Sequence, residues 1–301
     1  MKKFYDKVSF KSKYLQFLFK FTNAKKNYLN EENVKKFINK YHSSLSNYDV
    51  YGKMDLKKEI IGDNEVYLYN GDFDSRGNYL IYVHGGSFVE EAISYQINFA
   101  CKIAKLTNST LVIPRYTLIP DGNYNKLYSL MDKIYKIVID RCKDYNLLGD
   151  SSGGFVLAYS MYLRDNNKVL PKNVLLLSPW VDLSMENPEL IESMKLDAMS
   201  GLYGNKYCGK LWADDLDVKN PKISSMYGTF NNLSKITIAT GSYDILKPDC
   251  VRLSQKLEEQ GIDYNYIEFK NQGHDFGCYP TVEGKKLIEY FASIINNGGL
   301  E

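Results

Sequence analysis

Residues 149–154 read Gly-Asp-Ser-Ser-Gly-Gly, a Gly-x-Ser-x-Gly pattern between a short apolar run and a run of helical character. A serine flanked in this way can sit on a sharp strand-to-helix turn with its hydroxyl lifted clear of the backbone, ready to attack an acyl carbon. Only one register fits. Gly149 and Gly153 bracket Ser151, whereas Ser152 would need a glycine where Asp150 stands. A pattern this short arises by chance in roughly one chain in ten of this length, so its meaning depends on whether partners for the serine exist.

Such a serine needs a base, a group to orient that base, and N–H donors for the oxyanion. The chain has three histidines, His42, His84 and His274. In open α/β hydrolase sheets the chain order is Ser, then Asp or Glu, then His, and only His274 follows Ser151. The strand-like run 236–240 ends at Gly241-Ser242-Tyr243-Asp244, which makes Asp244 the candidate acid. Asp275 adjoins the histidine in sequence, where its carboxylate is poorly placed to reach Nδ1. Upstream, the apolar run 79–83 leads into His84-Gly85-Gly86-Ser87-Phe88. A glycine pair lets backbone N–H groups converge on an oxyanion without a Cβ in the way. His84, inside that turn, is expected to brace the loop, and His42 to be a surface or cap histidine.

Each of these motifs follows a strand-like run, so all would gather at one edge of a parallel sheet, where open α/β sheets bind their ligands. The rest of the chain supplies the alternation that such a sheet requires. Residues 56–61 and 65–69 read as the first strands, with turn signals at Gly71-Asp72 and Arg76-Gly77-Asn78. Ile93, Ile97, Ala100, Cys101 and Ala104 mark an amphipathic helix, residues 110–113 a strand, and Leu127 to Val138 another helix. The segment after Gly154 is apolar almost all round, as a buried helix would be. Residues 174–177 are a strand, and Leu287, Ile288, Phe291, Ile294 and Ile295 mark a closing helix.

Taken together, His-Gly-Gly-x-Phe, Gly-Asp-Ser-x-Gly-Gly, Ser-Pro-Trp-x-Asp at 178–182, Asp244 and His274 resemble the hormone-sensitive-lipase-like esterases, a branch of the α/β-hydrolase fold. The resemblance spans about residues 65–290. It implies a mostly parallel sheet flanked by helices, a helical cap, and no cofactor. It also implies a triad of Ser151, Asp244 and His274, with an oxyanion hole from the N–H groups of Gly85, Gly86 and Ser152. The chain departs from the pattern at Ser87, where the family carries a third glycine, and at Ser152, where alanine is frequent.

Residues 1–50 carry Phe10, Tyr14, Phe17, Leu18 and Phe21, then Val34, Phe37, Ile38, Tyr41 and Leu45, at helical spacing. They read as two amphipathic helices packed onto the protein rather than onto a membrane surface, and the resemblance makes them the first part of the cap. The run 14–19 is too short for a secretory or membrane-spanning segment. Between 183 and 230 the strand rhythm disappears, and this stretch is expected to be the second part of the cap. The core is then 51–182 with 231–301.

Composition is that of an ordinary soluble globular protein: 301 residues, 44% hydrophobic, 25% charged, net charge +2. Nothing in it calls for a nucleic-acid partner. Five scattered cysteines without a Cys-x-x-Cys argue against a disulfide framework or zinc site and for a reducing cytoplasm. The reading is a serine hydrolase of small, short-acyl esters, with no metal and no stable membrane insertion. An amidase or formamidase on the same triad is the enzymatic alternative. A non-catalytic binding module, as in plant hormone receptors of this fold, is disfavoured because those lack the catalytic histidine.

Overall fold

The computed structural model describes residues 1–22, 24–44, 49–74, 77–142 and 144–297. Leu45 and Arg76, both used above, lie outside the described residues. Among the described residues one sheet has nine strands, in the order β1-β9-β8-β7-β6-β4-β5-β3-β2. The strands are β1 (Lys2–Tyr5), β2 (Lys57–Ile61), β3 (Asn64–Tyr69), β4 (Asn78–Val83), β5 (Ser109–Pro114), β6 (Tyr145–Asp150), β7 (Asn173–Leu177), β8 (Lys235–Gly241) and β9 (Tyr264–Phe269). The β2–β3 and β3–β5 pairs are antiparallel and every other pair is parallel.

The central strands are apolar runs because both faces of the sheet are covered. Along β4, Tyr79, Ile81 and Val83 point into one core, while Leu80 and Tyr82 point into the other, the period of two that a pleated strand imposes. The first core is filled by α5 (Tyr124–Arg141), α6 (Phe155–Asp165) and α9 (Lys247–Glu259). The second is filled by α4 (Ser94–Leu106) and α10 (Val282–Asn297). Full burial of Leu287 and Phe291 contributes about 1.5–3 kcal/mol each. Helix α6 is buried along nearly its whole length, as its unbroken apolar character implied.

The N-terminal region departs from expectation twice. Lys2–Tyr5, four residues with two lysines, form a strand that pairs parallel with β9 at the sheet edge, so the chain starts in the sheet and not in a helical layer. Helix α1 (Phe10–Phe19) then turns its aromatic stripe outward: Phe10, Tyr14, Phe17 and Leu18 are exposed, as is Phe21 just beyond. Its inward side carries Ser12, whose Oγ donates to Gln272 Oε1 at 2.5 Å, beside the partly buried Leu15 and Phe19, so spacing marked a face correctly but not the side it looks to. The expected packing does hold for α3 (Glu31–Ser44), which follows α2 (Ala24–Asn27) and buries Val34 and Ile38. In the 183–230 stretch, α7 (Leu190–Leu196) and α8 (Leu202–Ala213) appear where strand rhythm was lost. Trp212 there is fully buried and stacks on Phe88 at 4.0 Å. It belongs to the core and not to a pocket wall.

Candidate active site

Strand β6 ends at Asp150, Ser151–Gly154 make one 3₁₀ turn, and α6 begins at Phe155. Ser151 is held at φ 51°, a left-handed conformation that a non-glycine residue adopts only when its surroundings force it. The forcing is visible at the two flanking glycines. A Cβ on Gly149 would lie 2.0 Å from the Gly153 carbonyl oxygen, and one on Gly153 would lie 2.0 Å from that of Val83. The turn is therefore as tight as the sequence pattern implied. The backbone N–H of Trp180 donates to the Ser151 carbonyl at 2.7 Å, so the 178–182 stretch supports the turn from β7.

The structure brings the three candidate residues together. Ser151 Oγ lies 2.8 Å from His274 Nε2, and His274 Nδ1 lies 3.0 Å from Asp244 Oδ1. In the neutral imidazole, Nδ1–H donates to Asp244 and Nε2 accepts from Ser151. Asp244 Oδ1 also accepts the N–H of Leu246 at 2.8 Å, which fixes the carboxylate. Burial by itself would raise Asp244, but the charge and hydrogen bond of His274, with hydrogen bonds from Ser178 and Leu246, hold it below the ordinary aspartate value. Burial likewise pulls His274 down, yet the charges of Asp275 and Asp244 and the Asp244 hydrogen bond push it well above the ordinary histidine value. Asp275 does not reach Nδ1; its Oδ2 stands 3.4 Å from Nε2, on the serine side. Burial, together with the charges of Asp150 and Asp244, pushes its carboxyl well up.

The loop after β4 corrects one assignment. The N–H of Gly85 donates to Asp150 Oδ1 at 3.1 Å, and Asp150 is further held by Tyr82 and by Gln96. Gly85 is thus committed to the scaffold and does not line the cavity over Ser151, whereas Gly86 and Ser87 do. The candidate donors at this loop are Gly86 and Ser87, with Ser152 on the nucleophile turn. Sequence reasoning passed over Ser87 because a glycine pair was the visible signal; its place as the third residue after the histidine was the available clue. His84, the candidate brace of the loop, is fully buried, stacks on Tyr116 at 4.6 Å, and its Nδ1 bonds the Gly85 carbonyl at 2.7 Å. Burial lowers its pKa to about 4, so the ring is neutral. His42 is exposed on α3, 3.5 Å from Asp121, as expected.

A network that sequence could not reveal links the loop after β4 to the loop that carries Asp244. Ser87 Oγ donates to Asn205 Oδ1 at 3.0 Å, and Asn205 Nδ2 donates to Ser200 Oγ at 2.7 Å. The Ser200 N–H donates to Asp197 Oδ1 at 3.0 Å, and Asp197 Oδ2 accepts the N–H of Ile245, next to Asp244, at 2.9 Å. Asp197, Asp244 and His274 each offer a ligand atom within 4.8 Å of the others. Those atoms are already committed, Asp197 to backbone N–H groups and the other two to each other, so the cluster is built as a hydrogen-bonded support and not as a metal cage.

The cavity over Ser151 holds about 160 Å³, and Tyr28, Met199 and Tyr279 are among its lining. It is smaller than the roughly 300–1,000 Å³ of pockets for drug-sized ligands.

Comparison with known proteins agrees with this architecture. The chain is 24% identical over 242 residues to an acetyl esterase of Salmonella paratyphi B, covering 73% of this chain and 72% of that one. It is 23% identical over 205 residues to an esterase of Acinetobacter venetianus, covering 66% and 68%. A triacylglycerol lipase of Mycobacterium tuberculosis is 26% identical over 66% of this chain, but the match spans only 42% of that protein's length. Among solved structures, an esterase/lipase from an uncultured bacterium superimposes with a TM-score of 0.80 at 17% identity, over 96% of this chain and 98% of that one. An esterase of the bacterial hormone-sensitive lipase family gives 0.75 at 18%, over 85% and 88%. The family model for the alpha/beta hydrolase fold matches residues 80–277, more than half of the sequence and the stretch that carries the serine turn, Asp244 and His274, and the chain belongs to that family.

Proposed function

We propose that the chain is a serine carboxylesterase that cleaves small, short-acyl esters through an acyl-enzyme. The observation that carries this reading is the unbroken Ser151–His274–Asp244 hydrogen-bond chain at 2.8 and 3.0 Å beneath a small cavity. Ser151 Oγ attacks the ester carbonyl carbon as His274 Nε2 takes its proton, and Asp244 stabilises the imidazolium. The N–H groups of Gly86, Ser87 and Ser152 face the developing oxyanion, each important donor contributing about 2.7–4 kcal/mol. His274 then protonates the leaving alkoxide, and the same nitrogen activates water to release the acid. No step calls for a cofactor.

Helices α1–α3 and the 183–230 segment serve as a two-part cap. Ala24, Asn27 and Tyr28 from the first part and Met199 and Ser200 from the second line the cavity, which supports this assignment. The name of the Salmonella relative, acetyl esterase, favours a short acyl group. The cavity volume favours one too: each extra methylene gains about 0.8 kcal/mol only while there is room to bury it. No helix among the described residues is long and apolar enough to cross a membrane, and unpaired cysteines, four of them buried, suit a reducing cytoplasm. The test is turnover of p-nitrophenyl esters from acetyl to palmitoyl, kept in solution, beside the matching anilides. Preference is expected to peak between acetyl and hexanoyl. Faster cleavage of palmitoyl than of butyryl would overturn the short-acyl reading, and cleavage of anilides alone would make the enzyme an amidase.

A further inference from the structure

Helix α1 carries an aromatic face that the protein leaves uncovered. Phe10 is 84% exposed, Phe21 73%, and Tyr14 and Phe17 about half. At 3.6 residues per turn, Phe10, Tyr14, Phe17 and Leu18 fall within an arc of about 100°. Lys11 borders that arc on one side, and Lys13 and Lys20 border it on the other; all three are exposed. The opposite side of the helix lies on the loop that carries His274, through Ser12 on Gln272, and Phe19 packs on Tyr279 of the cavity wall at 4.8 Å. The aromatic face is therefore the outer surface of an element standing at the mouth of the site.

Charge identifies what this face fits. Residues 1–26 contain eight lysines and a single acid, Asp6. Lys2 pairs with Glu258, and Lys25 holds the carbonyl of Asp197. Lys7, Lys11, Lys13, Lys20 and Lys26 have no carboxylate partner among the described residues, although the whole chain is nearly neutral at +2. Tyr279 also belongs to an apolar surface groove of about 650 Å³ bordered by Lys102, Lys105 and the Lys285–Glu289 pair. Aromatic side chains flanked by lysines on both sides match the boundary between acyl chains and anionic headgroups, where rings enter the interface and ammonium groups stay with the phosphates. A second copy of this chain would bring the same lysine-rich surface against itself, which like charges oppose.

We infer that α1 docks the enzyme reversibly on an anionic phospholipid surface, with the active-site mouth at the lipid boundary. This is surface attachment without a membrane span, and it does not depend on which ester the site cleaves.

Co-sedimentation of the full chain with vesicles tests it. Binding is expected to phosphatidylcholine vesicles containing phosphatidylglycerol, and to weaken at least roughly tenfold between low and 0.5 M salt. Pure phosphatidylcholine vesicles should capture little. Phe10→Ser/Phe17→Ser/Phe21→Ser and, separately, Lys11→Glu/Lys13→Glu/Lys20→Glu should each abolish capture while leaving hydrolysis of soluble p-nitrophenyl butyrate unchanged. Should the aromatic triple variant misfold, the lysine variant alone decides. Failure of the native chain to bind anionic vesicles, binding insensitive to salt, or unaltered binding by the lysine variant would overturn the proposal. A native dimer that the aromatic variant converts to monomer would also overturn it, because a second copy would then own the face.

Discussion

The hydroxyl of Ser87 donates to the side-chain oxygen of Asn205 across 3.0 Å, fastening the loop after β4 to helix α8. One residue of the candidate oxyanion loop is thereby positioned by a helix 118 residues further along the chain. Asn205→Ala should free Ser87 and loosen its N–H. A lost hydrogen bond of about 1 kcal/mol corresponds to roughly a fivefold fall in rate. The fall should appear in kcat with KM little altered, since an oxyanion donor acts in the transition state. Steady-state kinetics of Asn205→Ala beside Ser87→Gly checks this, and a change confined to KM would contradict it.

Ser151 should be the only serine labelled by a fluorophosphonate, and Ser151→Ala should lose at least about a thousandfold in kcat while folding normally. Mass spectrometry of the labelled protein decides between Ser151 and its neighbour Ser152. A label on Ser152 would show that the register is misassigned.

Asp244→Asn should cost roughly 10⁴-fold in kcat, because the amide no longer favours the imidazole tautomer that donates from Nδ1. Asp275→Asn should retain most of the activity at its optimum pH, since Asp275 lies on the Nε2 side of the ring. Reversal of these two results would exchange their roles.

The acid limb of kcat/KM should lie above pH 6.5, the ordinary histidine value, because flanking carboxylates hold His274 well above it. The sign is fixed by the mechanism. Below that pKa the imidazole is protonated and cannot accept the Ser151 proton, so activity falls with falling pH. Removing a carboxylate that favours the charged ring lowers its pKa, so Asp275→Asn should move the limb to lower pH. A limb that stays in place would mean that Asp275 carries no charge in the native site.

What was legible in the sequence follows from how locally it is encoded. Ser151 could be found because its turn needs glycines at fixed offsets, and His274 because only one histidine lies on the correct side of the serine. The central strands could be found because a sheet covered on both faces demands unbroken apolar runs. The misplaced features depend on distant partners. Gly85 was assigned to the oxyanion, but its N–H is claimed by Asp150, 65 residues away. Lys2–Tyr5 have too little apolar character to read as a strand, and they pair only because β9 offers an open edge. Helix α1 has the periodicity of a packed helix, yet a hydrophobic stripe does not say whether the protein or something else will cover it.

The pairing of β1 with β9 has a mechanical consequence. Residues 2–22 and 24–28 form a strap secured at both ends: at one by the ladder to the strand that leads to His274, at the other by Tyr28. The Tyr28 carbonyl accepts from Gly204 at 2.9 Å, and its hydroxyl donates to Glu90 at 2.9 Å. Between its ends Ser9 also donates to Glu283 and Ser12 to Gln272, and a segment fastened at several points cannot swing on a single hinge. Tyr28, which lines the cavity above Ser151, is thereby held by the same sheet edge that leads to His274.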